Sequence, residues 1–148
     1  MSTANTNTLP IIEPYLTFEG RCDEAIEFYK KALGAEVLML MRFKDSPEPP
    51  SGDCGSTASP DSVMHATLKI GGSNVMLSDG RCSGQPKFDG ISLSYSAPTV
   101  AEVERAYAAL ADGGQVCMPL TKTFFSPSFG MVADRFGVMW MVIVPQKM

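Results

Sequence analysis

This 148-residue chain has only one histidine, one tryptophan and four cysteines, so imidazole and thiol chemistry has little to draw on. Cys22, Cys54, Cys82 and Cys117 stand far apart with no C-x-x-C pair, so neither a zinc knuckle nor a redox dithiol is written here. A single imidazole cannot serve four thiols as a base, and buried or idle cysteines are expected. Basic residues are also scarce: 12 Lys and Arg stand against 16 Asp and Glu, for a net charge of −4. With no basic run to follow a phosphate backbone, nucleic acid is not an expected partner. No apolar run approaches the ~20 residues of a spanning helix, and MSTANTNTLP lacks the charge and apolar core of a secretion signal. A cytoplasmic protein without a membrane partner is expected. No glycine-rich turn leads from a strand into a helix, so no nucleotide-like cofactor is expected either; Gly71-Gly72 leads into a strand.

What is present reads as one domain over residues 10–148 after a tail at 1–9, a length that buries roughly 70% of the unfolded chain's surface. Ile11 to Phe18 is predicted as a strand. Asp23 is placed to cap a helix whose apolar face holds Cys22, Ala25, Ile26, Tyr29 and Leu33, with Gly34 behind it. Glu36 to Phe43 continues as a strand. The Pro, Gly and Ser density of residues 45–61 predicts a long loop, either a lid or disordered. Val63 to Ile70 and Ser73 to Asp79 flank Gly71-Gly72 as a two-residue hairpin. The order then repeats. Ile91 to Tyr95 is a strand, and Thr99 with Glu102 opens a helix faced by Val100, Val103, Tyr107 and Leu110. Val116 to Leu120, Phe129 to Ala133 and Val138 to Val144 follow as strands, the last two joined by a turn at Asp134-Arg135-Phe136-Gly137. The result is an α+β fold of two tandem βαβββ modules, over about residues 10–80 and 88–146.

Strand alternation assigns the faces. In the hairpin Met64, Ala66, Leu68 and Ile70 form a stripe suited to packing under a helix, which leaves His65, Thr67 and Lys69 on the other side. Counting across the turn sets Thr67 opposite Met76 and His65 opposite Ser78. By the same rule Glu13, Tyr15 and Thr17 share the inner side of the first strand. In the second module Ile91, Leu93 and Tyr95 turn outward, leaving Gly90, Ser92 and Ser94 inside. Met139 and Met141 share one face of the last strand, opposite Val138, Trp140 and Val142. Tyr29, Tyr107 and Trp140 are expected in the core. Ser78-Asp79-Gly80-Arg81 is read as a turn with a local ion pair.

The duplicated pattern, with "YLTFEG", "EAIEFYKKALGAE" and "MVADRFGVMWMVIV", resembles the vicinal oxygen chelate superfamily of glyoxalases, bleomycin-resistance proteins and extradiol dioxygenases, and within it the PhnB-like branch. That resemblance implies half-barrel sheets with helices on their convex side, often completed by a second subunit. It also implies a divalent metal held by four side chains on the concave face. Matched one by one, the ligand positions fall on Glu13, Met76, Gly90 (or its neighbour Asp89) and Met141. Thioethers are soft ligands and glycine has no side chain, so the usual metal site is expected to be missing, and with it the shared mechanism. The branch's old methyltransferase label is disfavoured for want of a cofactor turn.

The expected function is therefore metal-free binding of a small organic molecule, aromatic or quinone-like, by a homodimer. The predicted pocket comprises Tyr15, Thr17, His65, Thr67, Lys69, Met76, Ser78, Ser92, Ser94, Met139 and Met141. The rival reading is a lyase, isomerase or dioxygenase-like enzyme using His65 and Glu13, or a relocated metal. For His65 an orienting partner is expected in Ser78 or Asp79.

Overall fold

The computed structural model describes residues 9–46, 59–80 and 82–146. Most of the predicted tail, residues 47–58 of the predicted loop with Cys54, and Arg81 with its expected ion pair lie outside the described residues. Among the described residues, the domain comprises two four-stranded mixed sheets, two α-helices and a short 3-10 helix at Phe43–Asp45. The first module runs β1 (Tyr15–Thr17), α1 (Cys22–Leu33), β2 (Glu36–Arg42), β3 (Val63–Ile70) and β4 (Ser73–Ser78); the second runs β5 (Ser92–Ser96), α2 (Val100–Ala111), β6 (Gln115–Thr121), β7 (Phe129–Ala133) and β8 (Met139–Ile143). Sheet order is β1-β4-β3-β2 in one module and β5-β8-β7-β6 in the other, and neither sheet closes.

In each module the first strand lies parallel to the last, and every other pairing is antiparallel. The predicted hairpin register holds, with Ile70 opposite Ser73 and Thr67 opposite Met76. Gly71 alone of the glycine pair has a positive φ, 58°, as a two-residue turn with glycine first requires.

Both helices bury one face. Cys22, Ala25, Ile26, Phe28 and Tyr29 of α1 and Val103, Ala106, Tyr107 and Leu110 of α2 join Leu16, Phe18, Ala66, Leu68, Leu77, Val132, Trp140 and Val142 from the strands in one continuous core. Phe136 sits at the seam, with ring centroids 5.5 Å from Phe18, 5.7 Å from Phe28 and 6.3 Å from Tyr29. The helices thus cover the sheet faces turned to the core. The opposite faces carry the predicted pocket residues.

Four expectations need correction. The first strand spans three residues rather than eight. Met64 is only half-buried, because the register slips where Met41 pairs with His65 and Arg42 with Val63; the extra residue is Met64, and the bulge hands its core position to Val63, which is fully buried. Ile91 and Val100 precede or begin their elements and are 55% and 40% exposed. The N-cap of α1 is Arg21, with no side-chain cap from Asp23; Asp23 instead takes two 2.9 Å bonds from the Arg42 guanidinium. Thr99 does cap α2, its hydroxyl accepting from the Glu102 amide at 3.2 Å. Gly34 closes α1 at φ 69°, its amide donating to the Lys30 carbonyl at 3.1 Å.

Candidate functional site

Backbone pairing arranges the outward faces into rows. Across the first sheet one row reads Tyr15, Met76, Thr67 and Met39. Beside it lie Thr17 with Ser78, and His65 with Met41. Across the second sheet one row reads Ser94, Met141, Met131 and Met118, and its neighbour reads Ser92, Met139, Ala133 and Gln115. Paired residues share a face, so seven of the ten methionines of the chain stand on these two surfaces. Most of their side chains are half-buried, and Met39 is 42% exposed. The predicted residues are therefore brought together as two groups. Tyr15, Thr17, His65, Thr67, Lys69, Met76 and Ser78 share the first sheet's open face, and Ser92, Ser94, Met139 and Met141 share the second's. Met39, Met41, Met118 and Met131 complete the rows and were not among the expected pocket residues.

His65 is held at both ring nitrogens. The Tyr15 hydroxyl lies 3.1 Å from Nδ1 and the Thr67 hydroxyl 3.2 Å from Nε2. Tyr15 leans across β4 to reach the imidazole, with ring centroids 5.5 Å apart. The expected partner Asp79 is occupied elsewhere. Buried to 3% exposure, it accepts from the Cys22 amide at 2.8 Å and the Val63 amide at 2.7 Å. It is the α1 cap in fact, supplied from 57 residues away. Glu13 precedes β1 and is half-buried, and is not joined to the Tyr15, His65 and Thr67 chain by any of these bonds.

The motif "DRFGVMW" is structural. Asp134, 3% exposed, accepts four hydrogen bonds: from the Tyr29 hydroxyl at 2.5 Å, the Trp140 indole at 2.9 Å, and the amides of Phe136 at 2.9 Å and Val138 at 3.1 Å. Burial, then the Asp134 charge, push the Tyr29 hydroxyl above its ordinary range, and burial, then Asp79, push the Cys22 thiol up likewise. Both groups keep their proton in the folded chain and release it more readily when unfolded. Stability is therefore whole below the ordinary thiol and phenol pKa values, about 8.5 and 10, and falls as pH rises past them. Each such proton steepens the fall by about 1.4 kcal/mol per pH unit, so urea midpoints measured at pH 8, 10 and 11 are expected to drop, most sharply over the last step. A flat profile to pH 11 would contradict this placement of Tyr29.

A divalent cation does not fit the positions matched to metal ligands. Met76 lies on the first sheet and Met141 on the second, while Gly90 lies before β5 at φ 76° with no donor to offer. Neighbouring Asp89 is largely exposed and 3.9 Å from Lys87. Among the described residues no three His, Cys, Asp or Glu side chains come together as a metal cluster. Cys22 is buried, Cys82 half-buried and Cys117 exposed, all as free thiols.

The family model described as 3-demethylubiquinone-9 3-methyltransferase matches residues 10–143. Protein PA1353 of Pseudomonas aeruginosa is 41% identical, with a TM-score of 0.78 over 94% of this chain and 100% of that one. A PhnB protein of Bacillus cereus, carrying the same methyltransferase description, is 28% identical with a TM-score of 0.72 over 91% and 99%. A glyoxylase/bleomycin resistance protein/dioxygenase domain from Frankia, 16% identical, has a TM-score of 0.63 over 95% and 100% and shows a shared fold alone. With two mixed βαβββ sheets of that fold and a match spanning both modules, the chain belongs to the PhnB-like family described as 3-demethylubiquinone-9 3-methyltransferase, within the glyoxalase/bleomycin-resistance fold.

Proposed function

We propose that the protein binds a partly apolar, aromatic or quinone-like small molecule without a metal, against its methionine-lined open faces. The observation that carries this reading is the pair of rows: Tyr15, Met76, Thr67 and Met39 on one sheet, and Ser94, Met141, Met131 and Met118 on the other. Thioethers are polarizable and adapt to irregular shapes and ring edges, while scattered hydroxyls orient a ligand. Each row alone is half a wall. A second copy supplies the other half: Val37, Leu38 and Met39 on β2 and Val116 on β6 are 40–52% exposed, an apolar rim suited to a self-complementary contact. Methyl transfer receives less support. A nucleotide-like methyl donor needs a cradle of backbone amides between strand and helix, and here α1 opens on Arg21, with its first amide taken by Asp79. In the enzymatic alternative, proton transfer by His65 runs through the hydroxyls of Tyr15 or Thr67 that occupy both ring nitrogens, and Glu13 has no part in those bonds.

The test combines metal content with ligand stabilisation. Protein purified without chelator is expected to carry no stoichiometric Zn, Ni, Mn or Fe, and to sediment as a dimer. In a thermal-shift screen, an aromatic or quinone ligand at a hundred times its dissociation constant is expected to add about 2.7 kcal/mol. Near-equimolar metal would overturn the metal-free reading, and a screen of such compounds with no stabilisation would overturn the ligand class.

A further inference from the structure

We infer that Tyr15, backed by His65 and Thr67, is a reversible hydrogen-bonding site for one ring oxygen of the ligand, able to meet it as donor or as acceptor. The inference rests on the binding reading above and names the atom recognised. It begins from the only imidazole in the chain, which has hydroxyl groups at both nitrogens, Tyr15 at 3.1 Å and Thr67 at 3.2 Å. A neutral imidazole has one N–H and one bare nitrogen, whereas a hydroxyl both donates and accepts. Two arrangements therefore satisfy the same heavy atoms. In the first, Nε2–H donates to Thr67 and Nδ1 accepts the Tyr15 hydrogen, so the phenol oxygen offers its remaining lone pair outward. In the second, Thr67 donates to Nε2 and Nδ1–H donates to Tyr15, so the phenol hydrogen is free to point outward.

A carboxylate at either nitrogen would have locked one tautomer. Two hydroxyls lock neither. Tyr15 is 47% exposed on an edge strand, whereas its neighbour Leu16 is buried, so the phenol is the end of the chain that reaches outward and His65 acts through it as a positioning residue. The row that holds Tyr15 continues into Met76, which places a polarizable wall beside the polar contact. The fitting ligand group is a ring oxygen that occurs as a carbonyl or as a hydroxyl, the two states of a quinone and hydroquinone. No electron transfer is assigned to the protein.

A single histidine makes the test unambiguous, because nitrogen-15 spectra of the imidazole report His65 alone. The probes are tetramethyl-1,4-benzoquinone, whose oxygens only accept, and its hydroquinone. The quinone, which only accepts, is expected to move His65 toward the Nδ1–H form, and the hydroquinone, whose hydroxyl can also donate, is expected to leave more of the Nε2–H form than the quinone does. Tyr15→Phe leaves the core untouched, is expected to bind both about tenfold more weakly, and abolishes both tautomer responses. If the probes shift the methionine methyl signals while His65 stays unmoved, or if Tyr15→Phe binds as the parent does, this inference falls and binding at the open face stands. If neither methionine nor His65 signals respond, the binding reading falls and takes the inference with it.

Discussion

Asp134→Ala is expected to lose about 4 kcal/mol of folding stability, the largest single-residue effect we anticipate in this chain. The four groups that donate to its carboxylate are neutral, and the residue is almost wholly buried. Truncation strands all four donors, and each buried unpaired donor costs roughly 1–3 kcal/mol, less where water or a rotated hydroxyl can compensate. For a domain whose whole stability is of order 5–15 kcal/mol this is a large share, and it corresponds to roughly 8–16 °C in Tm at this size. Asp134→Asn sharpens the test. Its carbonyl oxygen can still serve the Phe136 and Val138 amides, but its NH2 group then faces Trp140, whose indole can only donate. The Tyr29 hydroxyl can turn around and accept. One donor is stranded instead of four, so a loss of about 2 kcal/mol is expected, with Tyr29→Phe costing about 1 kcal/mol. Urea denaturation of the three variants should rank them in that order, and equal losses for Ala and Asn would show that the carboxylate's charge, not its bonding pattern, dominates.

That carboxylate also explains why two separated sequence motifs mark one fold. "EFY" supplies Tyr29 and "DRFGVMW" supplies Asp134, Phe136 and Trp140, and the bonds between them stitch α1 of the first module to the last hairpin of the second. Motif residues read as a family cue thus form a joint between the modules. Both helices were legible from the spacing of their apolar residues, and the hairpin register and the outward placement of His65, Thr67 and Met76 because a two-residue turn fixes pairing by counting. The methionine rows were legible only in part. In β2 the run Val37 to Met41 is apolar at every position, so no alternation separates its faces, and a register shift between Val37 and Met39 would have defeated counting in any case. Met118 and Met131 meet across a connection whose length does not dictate register. Tyr15 meets His65 only because β1 lies parallel to β4, and no local turn encodes that pairing. Long-range pairings of this kind are where one-dimensional patterns stop being informative.

The same limit governs the start of α1, where two aspartates compete for one role and the structure chooses the distant one. Asp23 has the composition of a cap and the sequence position of one, yet it lies in the first helical turn and pairs with Arg42 at the surface. Asp79 arrives through the end of β4 and bonds the first amide of α1 and the first amide of β3 together, while its own amide donates to the Val63 carbonyl at 2.9 Å. Its negative charge also sits at the positive end of the helix dipole. Asp79→Ala should therefore leave two buried amides unpaired and cost about 3 kcal/mol, whereas Asp23→Ala, which removes an exposed ion pair and a favourable first-turn charge, should cost under about 1 kcal/mol. Amide exchange separates the causes: in Asp79→Ala the first turn of α1 and the start of β3 should lose protection together, because one carboxylate holds both. If Asp23→Ala proved the more damaging, the local cap suggested by the sequence would be the true one, and the joint between helix, hairpin and strand described for Asp79 would have to be abandoned.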